Sequence, residues 1–222
     1  MECVSQETRV KHCGITSLDD AELCAGAGAW ALGMIFAPES RRRVRMSEAV
    51  AIGAAMKRRA ELAGVFVNAP LDDVAMTADQ VGLTLIQLHG DEGPAYADEV
   101  ARRTGAQVIK AARVGGEGDV RALGAFPGVA YHLLDTRVEG RAGGSGETFD
   151  WRLALQHRGA VPLILAGGLT PENVGEAIET VRPFAVDVAG GTEASAGVKD
   201  PEKVQAFMEA VAATAITEEV TP

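Results

Sequence analysis

Short apolar runs rich in β-branched residues alternate with amphipathic stretches along nearly the whole chain. The repeat of ~20 to 30 residues is the pattern of successive βα units feeding one parallel sheet. Eight strands are predicted: Arg9–Cys13, Ala31–Phe36, Gly64–Asn68, Leu83–Leu88, Val108–Ala112, Tyr131–Asp135, Pro162–Ala166 and Ala185–Val188. Between them the 3.6-residue periodicity predicts helices over Asp19–Ala27, Ser47–Leu62, Leu71–Val81, Pro94–Thr104, Pro171–Val181 and Pro201–Ala213. Ser47 and Thr170 stand where N-caps belong, the latter before a proline at the first helical position. Eight such units in this length predict an α/β fold, a single-domain (β/α)8 barrel of the TIM type over residues 9–213. Residues 1–8 are then an N-terminal extension and 214–222 a C-terminal tail. An open doubly wound sheet is the structural alternative.

If the chain closes as a barrel, its chemistry belongs at the carboxyl ends of the strands. Two residues there draw attention. Cys13 closes the first predicted strand and Asp135 the sixth, each meeting a polar or glycine-containing segment immediately afterwards. A thiol and a carboxyl group facing one substrate make a base and an acid. Strand alternation puts Lys11 on the same side as Cys13 and one layer below, where its ammonium is expected to lower the thiol pKa. Cys24, in an alanine-rich helical stretch, reads instead as a small core hydrophobe. The segment from Arg137 to Thr148 holds Gly140, Gly143, Gly144 and Gly146, lacks apolar periodicity and follows Asp135 directly. It reads as a mobile cover over the active site, in preference to a tolerated surface insertion.

Composition narrows the partners. The chain has 222 residues, 47% of them hydrophobic, and a net charge of −10. That is enough apolar surface for one core, and an acidic surface that does not suit nucleic acid. A small anionic substrate remains compatible, because a local arginine or helix amino terminus outweighs distant, screened charges. The start of the chain shows no basic stretch followed by an apolar core, and no run is long enough to span a bilayer. A soluble cytoplasmic protein without membrane contact is expected. The three cysteines, at 3, 13 and 24, fit neither a disulfide framework nor paired metal ligands, and the histidines at 12, 89, 132 and 157 show no metal-binding spacing.

Two glycine pairs follow the seventh and eighth strands, Gly167-Gly168 and Gly190-Gly191. Loops at those ordinals form the usual phosphate site of such barrels, where backbone amides and a helix amino terminus meet the anion. Arg41, Arg42 and Arg43 follow the second strand, so one guanidinium is placed to grip a substrate carboxylate bidentately. Gln87 and His89 end the fourth strand and are candidates to line the pocket.

With these residues in place, the chain resembles the phosphoribosylanthranilate isomerase family over about residues 9 to 211. The resemblance rests on VKHCGIT, ALGMIFAPESRRRV, GVFVN, QLHGDE, LLDT, GGSGETFDW, LILAGGLTPENV and DVAGGTEASAGVKDPEKV. It implies an Amadori rearrangement of N-(5-phosphoribosyl)anthranilate in tryptophan biosynthesis, by an aldose–ketose isomerase working without metal or cofactor, as a monomer or homodimer. It also implies that Cys13 is the general base, Asp135 the general acid and Arg42 the holder of the anthranilate carboxylate, with Asp187 the family's aspartate at the end of strand eight. There are departures. Where the family commonly reads Asp-Val-Ser-Ser-Gly-Val-Glu, this chain has Asp187-Val188-Ala189-Gly190-Gly191-Thr192-Glu193, which removes hydroxyl but not backbone contacts to a phosphate. Ser195-Ala196-Gly197 replaces the usual Ser-Pro-Gly, and Arg41 and Arg43 flank Arg42 where proline and tyrosine are frequent.

Two other readings compete. Lys110, ending Val108-Ile109-Lys110, could form a Schiff base in an aldolase or lyase on the same barrel. The chain could also be a non-catalytic sugar-phosphate binding barrel or a scaffold, although keeping both Cys13 and Asp135 speaks against that.

Overall fold

The computed structural model describes residues 7–135 and 151–214. Eight parallel strands close into a barrel in sequential order, with β8 pairing β1. They are β1 (Arg9–Cys13), β2 (Ala31–Ile35), β3 (Glu61–Phe66), β4 (Leu85–Leu88), β5 (Gln107–Arg113), β6 (Tyr131–Asp135), β7 (Leu163–Ala166) and β8 (Ala185–Val188). The helices outside are α1 (Leu18–Gly26), α2 (Met46–Met56), α3 (Leu71–Val81), α4 (Pro94–Thr104), α5 (Glu117–Ala122), α6 (Val174–Val181) and α7 (Pro201–Ala212). Closure disposes of the doubly wound alternative. The expected active-site cover, residues 137–148, and the two expected terminal segments, apart from residues 7, 8 and 214, lie outside the described residues.

Local chemistry explains most boundaries. Ser17 caps α1 by accepting from the Asp20 amide, and Asp200 caps α7 by accepting from the Glu202 and Lys203 amides, with Pro201 at the first turn. Gly82 and Gly105 end α3 and α4 in the left-handed conformation that glycine adopts at least cost. Three expectations need correction. The helix expected to run to Leu62 stops at Met56; Arg58 turns the chain at φ 67°, and Glu61 pairs with Ala31 to start β3 three residues before the predicted Gly64. Ala60-Glu61-Leu62-Ala63 favours helix locally, and parallel pairing overrides it. Ser47 is not a cap: the flanking residue is Arg45, without a side-chain hydrogen bond. Finally, α6 begins at Val174 and not at Pro171, after a turn in which the Asn173 carboxamide oxygen accepts from the Thr170 amide.

The barrel interior is graded along its axis. Trp30, Tyr131 and Phe184 pack together at the amino-terminal end, with ring centroids 5.0 to 5.5 Å apart. Above them Ala31, Ala63, Leu85, Ile109, Leu133, Ile164 and Ala185 fill the middle. Near the carboxyl ends the inward positions turn polar, with Lys11, Cys13, Gln87 and Asp187, all buried. The second, larger layer of core lies between strands and helices and includes Ile52, Met56, Val74, Leu88 and Val100.

Buried histidines tie stability to pH. Burial, aided by the nearby Lys199 and Lys11 charges, pushes His12 down to about 3. Burial also lowers His132 and His157. His132 Nε2 donates to the Phe126 carbonyl at 3.1 Å, so its Nδ1 must accept from His157 Nε2 at 2.9 Å, an arrangement that requires the His132 ring to be neutral. In the unfolded chain each titrates near ~6.5, so the unfolded state takes up protons first as pH falls. Their contribution is therefore complete above that pH and is lost below it. The urea midpoint is expected to drop between pH 7.5 and pH 5.0; equal midpoints would contradict the assignment.

Candidate active site

The register of β8, β1 and β2 builds one side of the site. Lys11 pairs with Asp187 on β8 and with Ala31 on β2, while Cys13 pairs with Gly33. Lys11 Nζ donates to Asp187 Oδ1 at 2.9 Å, an ion pair enclosed by the barrel. Burial opposes the charge on Lys11, yet Asp187 and Cys13 outweigh it and hold the ammonium above the ordinary lysine value. For Cys13 the balance goes the other way. Burial pushes the thiol up, Lys11 and Lys199 pull it down, and Asp187 adds to the upward push. The lowering expected from Lys11 alone is thus overturned, because the ammonium is shared with a carboxylate and the thiol is desolvated.

Gly33 makes this packing possible. A Cβ there would stand 2.9 Å from Cys13 Sγ and 3.1 Å from both Cys13 Cα and Lys11 Nζ. Gly33→Ala is expected to fold with a loss of about 1–3 kcal/mol while displacing the thiol. A displacement of ~1 Å is enough for a rate loss of about 10²-fold. Turnover measured beside the thermal midpoint checks this; unchanged turnover would show that the thiol's position is not critical.

The opposite side comes from β4 and β6. Asp135 ends β6 in the same hydrogen-bonded row as Ala166 and Asp187. Two strand spacings place the Asp135 and Asp187 backbones roughly 10 Å apart across that rim. His89, just past β4, brings Nε2 to 3.2 Å from Asp135 Oδ2, and Gln87 Nε2 lies 3.0 Å from His89 Nδ1. If the amide donates there, the imidazole carries its proton on Nε2 and offers it to Asp135. Gln87 is buried, and its Oε1 has no hydrogen-bond partner among the described residues.

Of the three consecutive arginines, Arg41 and Arg43 are exposed, whereas Arg42 reaches the loop after β8. Its Nε donates to both Glu193 oxygens at 2.8 and 3.0 Å, and Nη2 to Oε2 at 2.7 Å. The fork expected to be open for a substrate carboxylate is half occupied by the chain's own. Sequence reasoning passed over Glu193, since no local spacing links it to Arg42.

The glycine pairs occupy the adjoining rim. Gly167 and Gly168 have φ of 92° and 67°, conformations that fold the chain back after β7. Gly191 lets the two loops touch, since a Cβ would sit 2.0 Å from the Leu169 carbonyl oxygen. No long helix starts at either pair: Gly190–Thr192 forms a single 3₁₀ turn, followed by a small antiparallel hairpin of Glu193–Ser195 and Val198–Lys199. These loops present glycine backbone near the rim without the dipole of a long helix starting at either pair.

Lys110 points away from this site. On β5 the inward residues are Ile109 and Ala111, and Lys110 lies outside the barrel, donating to the Gly90 carbonyl at 2.7 Å and to Glu92 at 2.9 Å. A charged, ion-paired lysine outside the barrel is no Schiff-base nucleophile for a substrate within it. Among the described residues, no cluster of three His, Cys, Asp or Glu side chains could hold a metal ion.

The sequence profile of the family described as N-(5'phosphoribosyl)anthranilate isomerase matches residues 10–210. The chain belongs to this family. An N-(5'-phosphoribosyl)anthranilate isomerase of Pseudomonas fluorescens is 48% identical over 204 residues, which cover 91% of this chain and 95% of the relative. The solved phosphoribosylanthranilate isomerase of Thermotoga maritima superposes with a TM-score of 0.83 at 41% identity, covering 93% of this chain and 99% of the other. A further solved isomerase, at 39% identity, TM-score 0.80 and the same coverage, contains reduced 1-(o-carboxyphenylamino)-1-deoxyribulose 5-phosphate. Membership of the isomerase family also removes the non-catalytic barrel as the default reading.

Proposed function

We propose that this chain catalyses the Amadori rearrangement of N-(5-phosphoribosyl)anthranilate to 1-(2-carboxyphenylamino)-1-deoxyribulose 5-phosphate, a step of tryptophan biosynthesis, with Asp135 as acid and Cys13 as base. The observation that carries the reading is the placement of these two groups at the carboxyl ends of β6 and β1 in a barrel of this family. Asp135 gives its proton to the furanose ring oxygen, and the ring opens to a protonated imine. Cys13, as thiolate, removes the C2′ proton. The resulting enolamine tautomerises to the ketone. At that point Asp135 has lost one proton and Cys13 has gained one, so the enzyme resets by proton exchange with solvent.

The other residues hold this geometry. His89 donates to Asp135 Oδ2 and fixes the carboxyl group, while Gln87 fixes the tautomer of His89. Arg42, steadied by Glu193, presents its remaining Nη1 edge to the anthranilate carboxylate. Asp187 holds Lys11 beneath Cys13 and is placed to meet the sugar, and the amides of Gly167, Gly168, Gly190 and Gly191 receive the phosphate. A phosphorylated, carboxylated intermediate does not cross membranes unaided, which favours the cytoplasm, and among the described residues no helix is long and apolar enough to span one. A monomer or homodimer is proposed for the assembly; one solved relative is described as a dimeric isomerase from which monomers were generated. The test is loss of anthranilate fluorescence when the protein meets freshly generated substrate. Unchanged fluorescence defeats the reading.

A further inference from the structure

Among the described residues, Lys199 is the most completely enclosed cation outside the barrel, and the mechanism above leaves it without a task. It sits on the second strand of the hairpin after β8, with a side chain that is 0% exposed. Its ammonium donates to the Cys13 carbonyl at 2.9 Å, the Ala189 carbonyl at 3.0 Å and the Thr192 hydroxyl at 3.2 Å. Three donors meet three acceptors, so the group is fully used. One acceptor is the backbone of the proposed base. The other two flank Gly190 and Gly191 in the proposed phosphate loop. Glu193, which grips Arg42, lies 3.9 Å away. A purely structural link between two loops needs no buried charge, since burying an ammonium is costly and apolar packing of the same volume is often as stable.

We propose that Lys199 is a positioning residue for the isomerase reaction, which pins the carboxyl end of β1 to the loop after β8 and holds its ammonium against the Cys13 backbone carbonyl. The inference deepens the functional reading and rests on it. Two consequences are separable. The first is geometric: the strand that carries the base is anchored to the loop that receives the phosphate, so substrate held at one is registered on the other. The second is electrostatic: Lys199 acts on Cys13 together with Lys11, Asp187 and Arg42, the other charged groups coupled to the thiol. Burial lowers the pKa of Lys199, against the pull of Glu193 and its other neighbours.

The experiment compares the intact chain with Lys199→Met and Lys199→Gln, two neutral side chains of similar length. In each, folding is followed by circular dichroism and thermal unfolding, kcat and KM are measured, and the pH dependence of Cys13 alkylation by iodoacetamide is recorded without substrate. Both neutral variants are expected to fold, to lose at least about 10-fold in kcat, and to show the alkylation midpoint shifted to higher pH. Thr192→Val, which removes one acceptor but keeps the ammonium, is expected to leave the alkylation midpoint in place. If the neutral variants fold with the wild-type midpoint and near-normal kcat, Lys199 only braces the hairpin and the proposal fails. If neither folds, Lys199 is assigned to stability alone, and the proposal fails likewise. Absence of isomerase turnover in the wild-type chain would sink the functional reading, whereas the alkylation midpoints are read without turnover and judge Lys199 independently.

Discussion

Alanine at position 13 is expected to lower kcat at least about 10²-fold, and KM far less, because the lost group acts on the C2′ proton only as the reaction proceeds. The fold should tolerate the change. Cys13 is a small side chain between Lys11, Gly33 and Asp187, and the Lys11–Asp187 ion pair does not depend on it. Cys13→Ser is a sharper version, since it keeps the volume and substitutes a far weaker acid. The pH dependence carries its own sign. Burial holds the thiol above its ordinary value, so the reactive thiolate becomes more abundant as pH rises, and kcat/KM in the wild type should climb on the alkaline side of neutrality. Near-normal turnover in Cys13→Ala would remove the thiol from the mechanism.

Asp135→Asn is expected to cost about 10² to 10⁴-fold in kcat, since an amide occupies the same space and has no acidic proton to give the ring oxygen. The contact with His89 survives in altered form, because its Nε2 can still donate to the amide oxygen. Substrate affinity should therefore change little. A His89→Gln variant separates the two roles: it leaves the acid and loosens its hold, so a smaller loss than in Asp135→Asn is expected. A larger loss in His89→Gln than in Asp135→Asn would transfer the acid role to the imidazole.

Much of this was legible in the chain itself. Short strand runs ending in Cys13 and Asp135 located the proposed base and acid at the barrel rim, because the carboxyl end of a strand is also the end of its apolar run. The number of βα repeats favoured a closed barrel over an open sheet, and the glycine pairs after the seventh and eighth strands marked a candidate anion site by ordinal alone. Where helix and strand preferences competed, as at Ala60–Ala63, local pattern misplaced the boundary. There the deciding hydrogen bonds belong to β2.

Sequence alone therefore determined the architecture, the family and the identities of the thiol and the carboxyl group, since each is encoded by residues near in the chain: periodicity, caps and short motifs. Tertiary structure alone decided which arginine turns inward, that Glu193 holds it, that Asp187 claims Lys11, and that Lys199 joins the end of β1 to the loop after β8. Those are contacts between residues 151 to 186 positions apart in the chain. No local spacing encodes them. Charge and burial act through distance in space, and only the closed barrel brings its first strand against its last.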